Sequence, residues 1–199
     1  MRIYDISQEV FSSLVYPGDP VPCKTKISSM EDGALYNLTE FSMCAHNGTH
    51  VDAPRHFIND GKAIDEIALE SFVGMAFVAE HSGVVCGEDA LGIIERAKKG
   101  NKESAKRILI KGNAEVSMEA AVVFASSDVL LLGNESQTVG PENSPMEVHL
   151  ELLSKGIVLL EGVRLNDVPE GVYFLCAAPL NLLGSDGSPC RALLITDKK

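Results

Sequence analysis

The sequence predicts an α/β fold with a mixed sheet in a single domain. Short β-type runs alternate with helix-type segments along the chain, which is the element order of mixed α/β proteins. A length of 199 residues is that of one domain, and 45% hydrophobic with 23% charged residues is an ordinary globular composition. We therefore expect residues 1–199 to form one domain around one core.

Eight apolar runs have the length and the turn-residue boundaries that are typical of strands. In chain order they are Arg2 to Ile6, Tyr36 to Ala45, Met75 to Glu80, Arg107 to Ile110, Val129 to Leu132, Ile157 to Leu160, Tyr173 to Leu175 and Ala192 to Ile195. Dense Pro and Gly at residues 16–20 and 186–189 predict two turns, because neither residue continues regular structure.

Helical signals lie between these runs. The segment from Glu88 to Lys99 has apolar residues at helical spacing, and Gly100 follows it as a C-terminal stop. A weaker helix is expected after Ser117.

A further helix, Pro145 to Lys155, has a clear start and a clear end. Ser144 and Glu147 match a capping box, and Gly156 follows the last turn. At about 100° per residue His149 falls within the apolar arc of this helix, so we expect its side chain to point into the protein.

Charge and composition limit the partners. A net charge of −11 argues against binding to nucleic acid or to an anionic membrane surface, because both require a positive field. No apolar run approaches the roughly 18 residues of a membrane span, and the polar start does not resemble a signal peptide. The five cysteines form no CxxC pair and are expected to be reduced thiols. These features predict a cytoplasmic protein whose partners are small molecules or other proteins.

The segment HNGTHVDAPRHF, which starts at His46, holds three of the five histidines within eleven positions. Gly48 and Pro54 argue against a continuous helix, so we expect a bent loop that leaves a strand. Two imidazoles from His46 and His50 and the carboxylate of Asp52 form a ligand set suited to zinc and also accepted by manganese or iron. Asp52 has two oxygens and can bridge two ions.

A second half-site is expected from His149 and Glu161. From His149 the helix descends about 9 Å to its end, and the following strand climbs about 13 Å to Glu161, so the two side chains reach a similar height. Glu161 ends a strand that looks buried on both faces, where a carboxylate needs a partner or a metal.

Simpler interpretations exist for these residues. His149 can be a core histidine bonded to the backbone, and Glu161 can form a structural ion pair with Arg164. Cys44 is expected to be a small buried hydrophobic residue rather than a soft ligand, so it is left out of the site.

The segment HNGTHVDAPRHF resembles the signature of the cyclase family of metal-dependent hydrolases, which includes kynurenine formamidases and isatin hydrolases. The similarity extends to IYDIS at the start, YPGDP at 16–20, LLEG and APLNLLGSDGSPCRALL. It implies a swivelling β/β/α-type fold, one or two divalent ions per chain, zinc or manganese, and a homo-oligomer such as a dimer or tetramer. The ligand sets it implies are His46, His50 and Asp52 for one ion and Asp52, His149 and Glu161 for a second, with His56 as the acid/base residue.

The resemblance also implies hydrolysis of the C–N bond of a small amide by metal-activated water. The expected substrate is an N-formyl aryl amine such as N-formylkynurenine, or a cyclic amide, with Tyr16 and Phe57 contacting its aryl or acyl part. Kynurenine formamidases typically have Trp where this chain has Tyr16. The alternatives are a non-catalytic metal-binding or ligand-binding protein of the same fold, and a structural zinc domain, which the extra histidine and the lack of paired cysteines argue against.

Overall fold

The computed structural model describes residues 1–197. In this part of the chain the strands are β1 (Arg2–Asp5), β2 (Cys23–Ser28), β3 (Leu38–Ser42), β4 (His50–Asp52), β5 (Val73–Glu80), β6 (Gly83–Val85), β7 (Arg107–Lys111), β8 (Ala114–Val116), β9 (Leu131–Asn134), β10 (Val158–Glu161), β11 (Gly171–Cys176), β12 (Gly187–Pro189) and β13 (Leu193–Thr196). The helices are α1 (Gly87–Gly100), α2 (Met118–Ala125) and α3 (Met146–Ser154). Short 3₁₀ turns occupy several of the connections.

Nine strands form one sheet in the order β1-β13-β11-β5-β7-β9-β10-β4-β12. The central strands β5, β7, β9 and β10 run parallel, and the strands on both flanks are antiparallel to their neighbours. The remaining strands form two small pairs, β2 with β3 and β6 with β8. The expected α/β fold with a mixed sheet is therefore confirmed.

The sheet is buried on both faces. Alternate residues of β7 show this: Ile108 and Ile110 belong to the apolar cluster that includes the helices, whereas Leu109 belongs to the cluster on the opposite face. All three side chains are fully buried. A strand covered on both sides reads as a continuous apolar run, which is why the central strands could be located from the sequence.

Several elements differ from the sequence-based expectation. Strands β2, β6 and β8 were not predicted, and β12 lies at Gly187–Pro189, where a turn was expected. The run from Tyr36 to Ala45 is a strand only over Leu38–Ser42, and it pairs with β2 outside the main sheet. The segment expected as a bent loop contains a strand, β4, at His50–Asp52. This strand has only three residues, and its pairing comes from distant segments, β10 and β12, so local periodicity does not show it.

Helix α3 has the expected position, but the predicted capping box is wrong. No side chain caps its N-terminus, where Pro145 adopts helical torsion angles. At the other end Gly156 has a positive φ of 76°, as a glycine just past a helix often does. His149 is buried, which agrees with its predicted inward orientation.

In the part of the chain described here, no helix is both long enough and apolar enough to cross a membrane.

Candidate metal centre

The pairing of β4 with β10 brings the predicted ligands together. In this antiparallel pair His50 lies directly opposite Glu161, so their side chains are cross-strand neighbours. His50 and Asp52 are two residues apart on β4 and therefore point to the same face of the sheet. Nε2 of His50 lies 3.4 Å from Asp52 Oδ1 and 3.5 Å from Glu161 Oε2.

Helix α3 supplies the fourth group of this cluster. Nε2 of His149 lies 3.2 Å from Glu161 Oε1 and 3.7 Å from Asp52 Oδ2. The side chains of His149 and Glu161 therefore meet, as the lengths of the helix and the strand predicted. The Glu161 carboxylate also accepts a hydrogen bond of 2.8 Å from the backbone N–H of Val139.

Backbone carbonyls orient both buried histidine rings. Nδ1 of His50 lies 3.1 Å from the carbonyl oxygen of Gly48, and Nδ1 of His149 lies 2.9 Å from that of Pro145. When one ring nitrogen donates a hydrogen bond to a carbonyl oxygen, the other nitrogen faces the cluster and has its lone pair free. Histidine ligands in metal sites usually have this arrangement. The two rings therefore present Nε2 to the carboxylates.

The fifth residue, His46, comes from the loop that precedes β4. Its Nδ1 lies 2.8 Å from Asp52 Oδ1. Thr49 anchors this loop, because its hydroxyl donates to the carbonyl of Gly162 at 2.8 Å and accepts from the backbone N–H of Gln8. The loop is thus tied to the chain that follows β10.

Proton and charge distribution in the cluster follow from this geometry. Burial opposes the cationic form of His50, but hydrogen bonds and charges of Asp52 and Glu161 outweigh it and raise its pKa to about 10. Burial likewise opposes the cation at His46, while hydrogen bonds to Asp186 and Asp52 raise its pKa to about 9. The pKa of Asp52 is held well below 3.8, because the histidines outweigh the effect of its burial.

The donor set fits a metal. Asp52 is shared by two groups whose ligand atoms all lie within 4.8 Å of one another: His46 with His50 and Asp52, and Asp52 with His149 and Glu161. The side chains of Asp52 and Glu161 are only 1% and 3% exposed, and buried carboxylates require cations close by. Imidazole nitrogens and carboxylate oxygens are the ligands that zinc and manganese accept.

The alternative partner for Glu161 is not used. Arg164 donates to the backbone carbonyls of Glu135 and Val163 instead of to a carboxylate. Glu161 is therefore balanced by histidines and a backbone N–H.

A cavity of about 260 Å³ opens onto the cluster. His56 is half-buried at its wall and stacks on His46 with ring centroids 3.9 Å apart. Tyr16 and Phe57, the predicted substrate contacts, both line the cavity, and the Phe57 ring lies 4.8 Å from that of His149. Burial lowers the pKa of His56 below 6.5, so its ring is neutral at pH 7.

One residue of this site was not found from the sequence. Asp186 Oδ2 lies 2.8 Å from Nε2 of His46 and 3.2 Å from Nδ1 of His56. The sequence indicated a turn at residues 186–189 within a segment that resembles the family, but neither signal assigned a role to Asp186, because a lone Asp beside Gly is an ordinary turn residue. The hydrogen bond from His46 holds the pKa of Asp186 well below 3.8, although partial burial acts in the opposite direction.

The fold and the site together define a class of protein, the metal-dependent hydrolases. A solved structure described as a potential metal-dependent hydrolase with cyclase activity superimposes with a TM-score of 0.81 at 27% identity, covering 100% of this chain and 99% of the other. The family model described as "Putative cyclase" matches residues 4–140, more than half of the chain. The chain therefore belongs to the cyclase family, as its histidine motif indicated.

Named relatives agree with this assignment. A kynurenine formamidase of Salinibacter ruber is 35% identical over 212 residues, covering 98% of this chain and 97% of that protein. Isatin hydrolase A from Labrenzia aggregata has a TM-score of 0.81 over 99% of this chain and 94% of its own, and its 21% identity supports the shared fold alone.

Proposed function

We propose that this protein hydrolyses the C–N bond of a small N-formyl aryl amine, with N-formylkynurenine as the first candidate. The observation that carries the proposal is a buried cluster of three histidines and two carboxylates that opens onto a cavity with aromatic walls. The kynurenine formamidase relative spans nearly the whole chain, which favours an acyclic formamide over a cyclic amide.

His46, His50 and Asp52 are proposed to hold one divalent ion, and Asp52, His149 and Glu161 a second one. A divalent metal bound there supplies Lewis acidity, which lowers the pKa of water from 15.7 toward about 7 and polarises a carbonyl oxygen. The residues fix the donors in place beforehand, because backbone carbonyls orient the rings of His50 and His149.

His56 is proposed as the general acid and base. Its Nδ1 is held by Asp186, so Nε2 is the free ring nitrogen, and its lowered pKa keeps that nitrogen unprotonated at pH 7. Nε2 accepts a proton from the attacking water and delivers it to the leaving nitrogen. Tyr16 and Phe57 contact the aryl part of the substrate, which aligns the scissile bond with the cluster.

Purified protein loaded with zinc or manganese is expected to hydrolyse N-formylkynurenine, and removal of the metal by a chelator is expected to abolish the reaction. The reason is that the proposed nucleophile is a water molecule that the metal activates, so without the metal no attacking group is formed. Formation of kynurenine measured by absorbance, before and after chelation and after re-addition of metal, tests this.

Isatin is the matched comparison, because it tests a cyclic amide in the same assay. Faster turnover of isatin than of N-formylkynurenine would redirect the assignment to cyclic amides. A fully metallated protein that hydrolyses neither compound would favour the alternative of a non-catalytic metal-binding protein.

Near pH 8, metal binding is expected to release about two protons per chain from His46 and His50 together, in addition to those released by His149, whose pKa is also raised, and by metal-bound water. His46 and His50 have folded pKa values of about 9 and 10, so both carry a proton in the metal-free protein and lose it to the metal. Calorimetric titration with zinc in two buffers of different ionisation enthalpy measures this number. An enthalpy that is the same in both buffers would show that the rings are neutral before the metal binds.

The same shifts give the metal-free protein a defined pH dependence. Both histidines have a folded pKa above the unfolded value of about 6.5, so their contribution to stability is fully present below pH 6.5. It is lost as the pH rises through about 9 and 10. The metal-free protein is therefore expected to melt at a lower temperature at pH 10 than at pH 6. For the metal-bound protein the opposite order is expected, because the metal binds only to neutral rings.

Zinc as the native metal, assembly as a homo-oligomer such as a dimer or tetramer, and a cytoplasmic location belong to this proposal. They are supported by the family resemblance and by the composition of the chain.

A further inference from the structure

Asp186 is placed where one carboxylate oxygen meets two functional histidines. Its Oδ2 lies 2.8 Å from His46 Nε2 and 3.2 Å from His56 Nδ1, and the two rings stack at 3.9 Å. Half of the carboxylate faces solvent, since the side chain is 45% exposed. The contact with both rings is thus made by a carboxylate that is partly exposed to solvent and lies outside the buried pair Asp52 and Glu161.

The backbone around Asp186 is fixed from both sides. Its carbonyl accepts a hydrogen bond of 2.9 Å from the N–H of Ala53, and the carbonyl of Ser185 accepts one of 2.9 Å from Ile64. The next residue must be small, because a Cβ at Gly187 would lie 2.6 Å from Cε1 of His46. This segment therefore forms a rigid wall against which the His46 ring rests.

For His56, the contact with Asp186 determines which ring nitrogen is free. A neutral imidazole has one N–H, and an adjacent carboxylate favours the tautomer that donates to it. Asp186 therefore stabilises the Nδ1–H form of His56 and leaves the Nε2 lone pair free. Without this acceptor the two tautomers become closer in energy and the ring loses its fixed orientation.

For His46, the same carboxylate selects the ligating nitrogen. Nε2 faces Asp186, while Nδ1 faces Asp52, which belongs to the cluster with His50. A carboxylate that accepts the outer N–H of a histidine ligand fixes its ring and raises its basicity. The nitrogen that remains for a metal is Nδ1.

We propose that Asp186 is a positioning residue that orients the acid/base His56 and the ligand His46 at the same time, so that one partly exposed carboxylate couples the metal cluster to the proton-transferring group. This inference rests on the proposed function for its effect on turnover. Its structural content, the tautomer of one ring and the ligating nitrogen of the other, is independent of any substrate.

The test compares Asp186→Ala with the more conservative Asp186→Asn in zinc-loaded protein. Ring nitrogen NMR of the histidines reports tautomer and metal-bound nitrogen, metal analysis reports zinc per chain, and kinetics with N-formylkynurenine separate kcat from KM. The control is Asp65→Asn, because Asp65 accepts from the backbone N–H of Gly184 in the same loop and belongs to none of the histidine contacts.

In the wild type we expect His56 as the Nδ1–H tautomer and His46 bound through Nδ1. Asp186→Ala is expected to mix the His56 tautomers and to lower kcat by about 10–100-fold, the usual cost of losing such an outer partner, with KM changed less than about threefold. Asp186→Asn is expected to restore both in part, because the amide oxygen still accepts a ring N–H. Asp65→Asn is expected to change neither.

Three results would overturn the proposal. Loss of zinc from Asp186→Ala at saturating zinc would make Asp186 a ligand, since His46, His56 and Asp186 also lie close enough to hold an ion. Zinc on Nε2 of His46 would contradict the assigned orientation. An unchanged His56 tautomer in Asp186→Ala would remove the positioning role. If the wild type hydrolyses no formamide, the NMR results still decide the role of Asp186, and only the proposed function fails.

Discussion

Replacing His56 by alanine is expected to lower kcat by about 10²–10⁴-fold, the range typical for removal of a general acid or base. The ring lines the cavity, and its pKa is lowered below 6.5 by burial, so it is neutral and able to accept a proton at pH 7. No ring nitrogen of His56 belongs to the groups shared with Asp52. The bound metal is therefore expected to stay.

The measurement is kcat for N-formylkynurenine together with zinc per chain by elemental analysis. His81→Ala is the matched control, because His81 lies away from the cavity and its Nε2 is 3.2 Å from the backbone carbonyl of Val84. A His56→Ala protein that loses its metal would identify His56 as a ligand. A variant that keeps both its metal and full turnover would show that His56 is not the general acid and base.

The family motif made most of this site predictable. Histidine and aspartate at close spacing in HNGTHVDAPRHF indicated metal binding before any fold was known. The pair His149 and Glu161 could be placed because both lie on elements with strong signals, a helix with an apolar arc and a buried parallel strand. Regular rise per residue was enough to bring them to one height.

What the sequence could not provide is the long-range pairing. Strand β4 consists of three residues and depends on β10 and β12 for its backbone partners, so its residues had no periodic pattern of their own. The same limit hid Asp186, which reaches His46 across 140 positions of the chain. A contact of that kind depends on the pairing of β12 with β4 at the edge of the sheet. The turn-forming residues around Asp186 do not indicate this pairing.

The close pairing of histidines and carboxylates in the cluster explains why charged groups are stable inside the protein. Asp52 and Glu161 are almost fully buried, and each has at least one histidine nitrogen within 3.5 Å. With protons on the rings the cluster is a set of buried ion pairs, and with metal the same carboxylates face a cation of higher charge. Both states place cationic groups beside the buried carboxylates, which offsets the cost of burying them.

Asp52→Asn is expected to have the largest effect, with loss of metal from both groups and of all measurable turnover. Asp52 is the residue common to the two groups, and its Oδ1 and Oδ2 face different histidines. An amide has one acceptor oxygen and no negative charge, so it would be a much weaker ligand for either ion than the carboxylate. Calorimetric titration with zinc is expected to show no high-affinity binding.

The same substitution is expected to destabilise the metal-free protein by about 3–5 kcal/mol at pH 6, because it removes a buried carboxylate that pairs with protonated rings and leaves His46 and His50 with one carboxylate partner each. The loss is expected to shrink toward pH 9, because the rings of His46 and His50 lose protons as the pH rises and the missing charge of Asp52 then matters less. Denaturant unfolding at pH 6 and pH 9 measures both effects, with Asp128→Asn as the control at an exposed aspartate. An Asp52→Asn protein that unfolds like the control at pH 6 would mean that the histidines of the metal-free cluster are neutral.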